Sequence, residues 1–311
     1  MTFERQPNLT RFTIQTFTDA PELQIPIFLI FLLGYLIIIL GNLTIFVVIV
    51  SEASLHTPMY LFLMKLSLLD ISCASNILPN MLHMLLTQHK TISFVGCITQ
   101  VYFFISLTFT ELLLLGAMAY DRYLAICHPL HYFMLMSFRH CALLIMAAFT
   151  IGFIDPVGHV VLISKLYFCA SHLIDHFFCD VSPLLKLSCS DTSHVEMLTF
   201  VEGTFIVFPD FLLTLISYIF IIATILKIKS AEGRQKAFST CTSHLTCVIM
   251  FYGTIMCLYM RPTSSYSPKQ DKFFAPLYVV LVPMLNPVIY SLKNQDVKGA
   301  LKKLKNKIIC K

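Results

Sequence analysis

Hydrophobic positions in this chain fall into long uninterrupted runs separated by short polar connections. Seven runs, at 26–50, 58–81, 97–120, 140–163, 197–226, 237–260 and 273–292, are each about as long as a membrane-spanning helix needs to be. Only helices and closed barrels satisfy their backbone amides inside a bilayer, and runs of this length exclude barrel strands. The connections are short except for 164–196, which is too long and polar for a simple turn. The pattern therefore predicts an all-α membrane protein with an extramembrane segment at 1–25, one seven-helix transmembrane domain over 26–292 and a tail at 293–311.

Composition agrees and adds an orientation. The 311 residues are 57% hydrophobic and 13% charged, far too few charges for the surface of a soluble domain of this size. With the N-terminus outside, thirteen Lys and Arg fall on inner connections and the tail, against eight on the outer side. That bias favours a cytoplasmic C-terminus. The basic tail repeats apolar residues at Val297, Leu301 and Leu304, as expected of an amphipathic helix lying on anionic inner-leaflet lipid. The first 25 residues lack an apolar core, so no cleavable signal is expected. Of two Asn-Leu-Thr triplets, Asn8 lies outside and can accept a glycan, whereas Asn42 lies mid-membrane and cannot.

Polar residues within the spans carry the candidate chemistry, because ionisable groups there are costly. Asp70 and Glu111 are the deepest acids. With Asn42 and Asn286 at similar depth, they could share a proton or cradle a sodium ion; a structural polar cluster is the alternative. Asp155 and Glu202 put two more acids in the outer halves of the fourth and fifth spans, and Lys65 sits in the second. Either acid could be a counter-ion or acceptor for a polar or amine ligand. Alternatively, Glu202 lies at the membrane interface and Asp155 pairs with His159 one turn away. At the inner ends, adjacent Asp121 and Arg122 can form an ion pair that breaks when helices separate. Pro283 and Pro287 free carbonyls and bend the seventh span into a hinge that Asn286 can stabilise.

Of 11 cysteines, Cys97, Cys169, Cys179 and Cys189 face the oxidising side, an even set consistent with two disulfides in any of three pairings. His172, His176 and Asp180 lie among them, so a zinc or copper site is a competing reading of the same loop. No His-Glu-x-x-His, phosphate loop or Gly-x-Ser-x-Gly elbow occurs, and the chain is not read as an enzyme. A transporter would usually show more spans and repeated halves.

Asp121-Arg122-Tyr123 and Asn286-Pro287-Val288-Ile289-Tyr290 resemble the two signatures of rhodopsin-like G-protein-coupled receptors. Gly41-Asn42, Leu55-His56-Thr57-Pro58-Met59-Tyr60, the run at 118–132, Ser217-Tyr218 and the run at 236–245 resemble odorant receptors specifically. His176-Phe177-Phe178-Cys179-Asp180 and Phe251-Tyr252-Gly253-Thr254 resemble their tetrapod-type branch. The resemblance implies disulfides Cys97–Cys179 and Cys169–Cys189, and an inner switch involving Asp121, Arg122, Tyr123, Tyr218, Asn286, Pro287 and Tyr290. It implies an odorant pocket lined by Phe104, Ile105, Thr108, Phe109, Glu202, Gly203, Ile206, Tyr252, Ile255 and Tyr259. It also implies a small volatile ligand, a stimulatory heterotrimeric G protein with raised cyclic AMP, and a place in olfactory cilia. Nothing calls for nucleic acid. A non-olfactory rhodopsin-like receptor for a small molecule is the nearest alternative.

Overall fold

The computed structural model describes residues 10–15, 17, 20–169, 172–259, 267–293 and 295–309, without the side chains of 236, 239, 240, 243, 290–293, 295, 305 and 307–309. Asn8 therefore lies outside the described residues, as does the Tyr290 side chain. Seven helical rods form one bundle. The first three are α1 (Pro21–Ser51), α2 (Pro58–Thr87) and α3 (Phe94–Cys127). After a single turn, α4 (Tyr132–Leu135), the fourth rod is α5 (Phe138–Ile154) continued by α6 (Pro156–Ser164). The long connection then carries α7 (Val181–Leu187). The fifth rod is α8 (Ser193–Glu202), a π-helical turn and α9 (Phe208–Leu226), and the sixth is α10 (Ala231–Tyr259). The seventh joins α11 (Pro268–Pro276) through a second π turn to α12 (Val282–Lys293), and α13 (Gln295–Ile309) follows.

Six of the rods are long and apolar enough to cross a membrane. In α10 the apolar part is only His244–Tyr259, because its first turns carry Glu232, Arg234 and Gln235. Most rods outrun their apolar stretch, since the signals that start a helix are polar or prolyl and sit at or outside the edge of the run. Pro21 and Pro58 occupy first-turn positions. Ser93 and Ser137 cap α3 and α5 by accepting from the backbone N–H of Gly96 at 3.0 Å and His140 at 3.3 Å.

Prolines explain the breaks. Pro156 separates α5 from α6, and Pro209 and Pro283 each follow a π turn that absorbs a lost amide donor. Pro287 withholds its amide from the Pro283 carbonyl four residues back. That carbonyl instead accepts from Asn42 Nδ2 of α1 at 3.0 Å. Gly41 makes the approach possible, since a Cβ there would stand 2.8 Å from the Pro287 ring. The hinge is thus capped by Asn42. Asn286, expected to serve it, turns the other way and donates to Asp70.

Gly152 has the same role between α5 and α3, where a Cβ would lie 2.9 Å from the Thr110 amide and 3.1 Å from the Ser106 carbonyl. Backbone cannot yield as a side chain tip does. Gly152→Val is expected to destabilise the bundle by about 1–3 kcal/mol, read as a lower melting temperature in detergent; an unchanged value would refute the tight crossing.

The end bearing the long connection is covered by a small sheet. Strand β1 (Arg11–Ile14) lies between β2 (Thr91–Ser93), antiparallel with Phe12 opposite Ile92, and β3 (Leu173–Ile174), parallel. Phe12 and Ile14 point inward and are fully buried with Cys97, Cys179 and Phe168. At the opposite end α13 buries Val297 and packs Leu301 and Leu304 on the core. It is tied there by Tyr60 Oη donating to Asp296 at 3.1 Å and by a Lys303–Glu52 pair at 3.2 Å.

Candidate functional site

A cavity of about 1060 Å³ lies between α3, the connection and the fourth, fifth and sixth rods. Its α3 wall presents Phe104, Ile105, Thr108, Phe109 and Leu112, which share one helical face. Glu202, Gly203 and Val207 come from the π-turn region, Ile255, Leu258 and Tyr259 from α10, and Asp180, Ser182 and Leu185 from the connection. Mostly apolar walls with a few polar groups are what a small-molecule site requires. Tyr259 Oη donates to Asp180 Oδ2 at 2.9 Å, joining α10 to the cover.

Eight of the ten expected pocket residues line this cavity; Ile206 and Tyr252 do not. Ile206 falls within the π turn, whose extra residue rotates the following face away from the helical register. Tyr252 lies deeper, 2% exposed, with its hydroxyl bonded to the Asp210 carboxylate. Asp210 escaped the sequence reading although an acid inside an apolar span was itself the signal. It reaches α3 only because Gly116 is there, since a Cβ on Gly116 would run into its carboxylate.

Both outer disulfides are present. Cys97–Cys179 fixes the connection to the start of α3, and Cys169–Cys189 closes a loop within it. Cys179 also donates its amide to Gln100 Oε1 at 2.9 Å. The thiolates of a metal site are therefore consumed. Asp180 is engaged by Val181 N–H and Tyr259, while His176 stacks on Phe177 with centroids 4.7 Å apart. Burial pushes the His176 imidazole down to about 3, with Lys272 adding to the effect. Among the described residues, His172, His176 and Asp180 do not converge as ligands.

Below the cavity the polar core is strung along the seventh rod. Tyr278 Oη lies 3.0 Å from Thr108 Oγ1 and 3.1 Å from Glu111 Oε2. Asn286 Nδ2 donates to both Asp70 oxygens, at 3.2 and 2.9 Å. Asn42, on the Pro283 carbonyl, is joined to this set through α12. Glu111 Oε1, Asn42 Oδ1 and Asn286 Oδ1 have no hydrogen-bond partner. Tyr278, the residue that links cavity to core, gave no sequence signal beyond being one more aromatic.

At the far end Arg122 pairs with Asp121 Oδ2, and Tyr132 Oη of α4 donates to Asp121 Oδ1 at 2.7 Å. Tyr123 Oη lies 3.0 Å from His128 Nε2. Tyr218 and His244 form a buried bond across α9 and α10, with Oη 2.5 Å from Nδ1. One helix, α10, therefore carries cavity residues at its C-terminal end, Tyr252 about two turns further in and His244 at its midpoint.

The sequence model of the olfactory receptor family matches residues 31–307. Olfactory receptor 5AR1 of Mus musculus is 50% identical over 301 residues, covering 97% of both chains. Its Homo sapiens counterpart of the same name is 48% identical over the same share. Olfactory receptor 5AP2 of Mus musculus is 50% identical over 296 residues, 95% of this chain and 93% of its own.

Proposed function

Because the chain belongs to the olfactory receptor family of seven-helix, G-protein-coupled membrane proteins, we propose that it binds a small volatile molecule in the 1060 Å³ cavity and couples to a stimulatory G protein, raising cyclic AMP. In this reading the sheet-covered end is extracellular, with Asn8 open to glycosylation, and the basic α13 rests on the inner leaflet of the ciliary plasma membrane. The observation that carries it is the continuity of α10, which touches the cavity at Tyr259 and the tail-end network at His244.

A ligand shifts a conformational balance only by its difference in affinity for the two arrangements. Contacts at Ile255, Leu258 and Tyr259 bear directly on the outer end of α10. A rigid helix transmits a tilt, and Tyr252–Asp210 sits where such a tilt would pivot. Moving the inner half of α10 away from α9 would part Tyr218 from His244 and open a crevice beside Arg122. About 1–3 kcal/mol of coupling gives a 5- to 150-fold shift, within reach of a few contacts. The Asp70–Asn286–Glu111 set would hold a sodium ion or a shared proton in the resting state, its unpartnered Glu111 Oε1 and Asn286 Oδ1 supplying free acceptors.

The direct test is cyclic AMP in cells carrying the full chain at their surface, screened against chemically diverse volatiles. A saturable rise with at least one compound, absent from mock-transfected cells, is expected. A surface-exposed chain silent to the whole collection, in cells that still answer a direct cyclase activator, would refute the reading.

A further inference from the structure

On the wall of the cavity, where the fourth and fifth rods meet, stands a polar cluster that the activation pathway does not use. His159 and Glu202 line the cavity and are 3% and 5% exposed. The imidazole of His159, the alternative partner for Asp155 by spacing, turns toward Glu202. His159 Nδ1 lies 3.2 Å from Glu202 Oε1, and Asp155 is near enough to the Glu202 carboxyl for the two charges to repel. Yet even at that 3.2 Å approach the geometry is not that of a hydrogen bond, and His159 Nδ1, Glu202 Oε1 and Asp155 Oδ2 are each left without one. Three orphaned buried polar atoms in one place is a costly arrangement.

The proton inventory shows what is missing. The Thr199 hydroxyl donates to the Val195 carbonyl at 3.0 Å, so its oxygen can only accept from His159 Nε2, 3.1 Å away. The Nε2 proton is thereby fixed. In a neutral imidazole Nδ1 is then an acceptor, facing a carboxylate that is also an acceptor. Protonating His159 supplies one donor and still leaves two carboxylates against one positive charge. With both carboxyls ionised, the cluster is at least one positive charge short whichever state the imidazole takes. The same cavity offers apolar surface, Phe109, Leu112 and Val207 among it, to hold a hydrocarbon body. Lys186 is the only Lys or Arg in the described lining, and it is exposed to solvent.

We propose that the His159–Glu202–Asp155 cluster is a cation-recognising subsite and that this receptor is tuned to volatiles bearing a protonated primary or secondary amine. The inference rests on the cavity being the ligand site. An ammonium brings the missing charge together with two or three donors, enough to reach Glu202 Oε1 while its alkyl part fills the apolar walls. An alcohol of the same shape brings one donor and no charge, and charge-assisted bonds are about twice as strong as neutral ones.

The test compares hexylamine and cyclohexylamine with hexanol and cyclohexanol in cells bearing the full chain, each pair read as a ratio of potencies so that receptor number cancels. The amines are expected to be about 10-fold or more the better agonists. Glu202→Gln should lower the amine-to-alcohol ratio by about 10- to 100-fold. Asp155→Asn, which removes charge from behind the cavity wall, should lower it in the same direction by less, and it reads the cluster should the Gln variant fail to reach the surface. A ratio near one in the native chain, or one that neither variant alters, overturns the proposal. Responses to neutral volatiles with none to amines would overturn it and leave the receptor reading intact. Silence to every volatile tested would overturn both.

Discussion

Cells expressing Arg122→Ala are expected to show no ligand-driven cyclic AMP, with receptor still detectable at their surface. In this structure the guanidinium is spent on its neighbour, with Nε donating to Asp121 Oδ2 at 2.9 Å and Nη2 pairing with the same oxygen. The other oxygen accepts from Tyr132 at 2.7 Å. Burial pushes the Tyr132 phenol up and Asp121 adds to that, so it remains a donor throughout the physiological range. Asp121, with no exposed surface, is thus held by two elements, its own helix and the first turn beyond it. Removing Arg122 takes away the charged group that an opened crevice would present to a G protein. It also leaves a buried carboxylate one partner short, a loss of about 3–5 kcal/mol. Surface density should therefore fall, and the signal must be read per receptor. Asp121→Asn separates a switch from a structural pair. It keeps an acceptor for Tyr132 but frees the guanidinium, and ligand-independent cyclic AMP should rise about 5-fold. A per-receptor response of native size in Arg122→Ala would refute the switch.

The two variants act on a motif whose residue types were readable from the chain, though its bond to Tyr132 was not. Asp121 and Arg122 are adjacent, so their pairing needs only sequence. Tyr132 meets Asp121 because the chain folds back after His128, and no periodicity encodes that return. The same divide runs through the molecule. Apolar runs gave the rods, because a bilayer leaves the backbone no alternative. Their ends were short by several residues, since caps such as Ser93 and Ser137 lie outside the runs. The Gly41–Asn42 pair was legible only as a resemblance, and the carbonyl that Asn42 serves depends on α12 coming to rest against α1. Strand β1 alternates Arg-Phe-Thr-Ile with Phe12 and Ile14 inward, yet four residues of alternation carry little information until partners on two other loops are known. The resemblance put Tyr252 in the pocket with Ile255 and Tyr259; its hydroxyl is instead bonded to Asp210, on another helix. Pairings across helices are tertiary facts, and a single chain records them only where a glycine or a buried charge betrays them.

Breaking the Cys97–Cys179 bridge should be still more damaging than silencing the switch, because it removes the receptor and not merely its output. The bond closes a separation of 82 residues with its Cα atoms 5.4 Å apart. Loop-closure entropy for that length amounts to about 4–5 kcal/mol, an upper bound here because the spans restrain the chain in both states. Both sulfurs are fully buried under the sheet, where Cys179 also bonds Gln100, whose Nε2 in turn donates to the Asn76 carbonyl at 2.9 Å. Losing the bridge thus loosens α2, α3 and the cavity cover together, and with them Asp180, the acceptor for Tyr259. Cys179→Ser is expected to abolish surface staining. The Cys169–Cys189 bridge closes only 20 residues, worth about 3 kcal/mol by the same relation, and Cys189 lies at the exposed rim. Cys189→Ser should therefore reach the surface in reduced amount and keep a ligand response. Equal surface staining of the two variants would show that the length of the closed loop and the burial of the bridge do not govern how the cover is held.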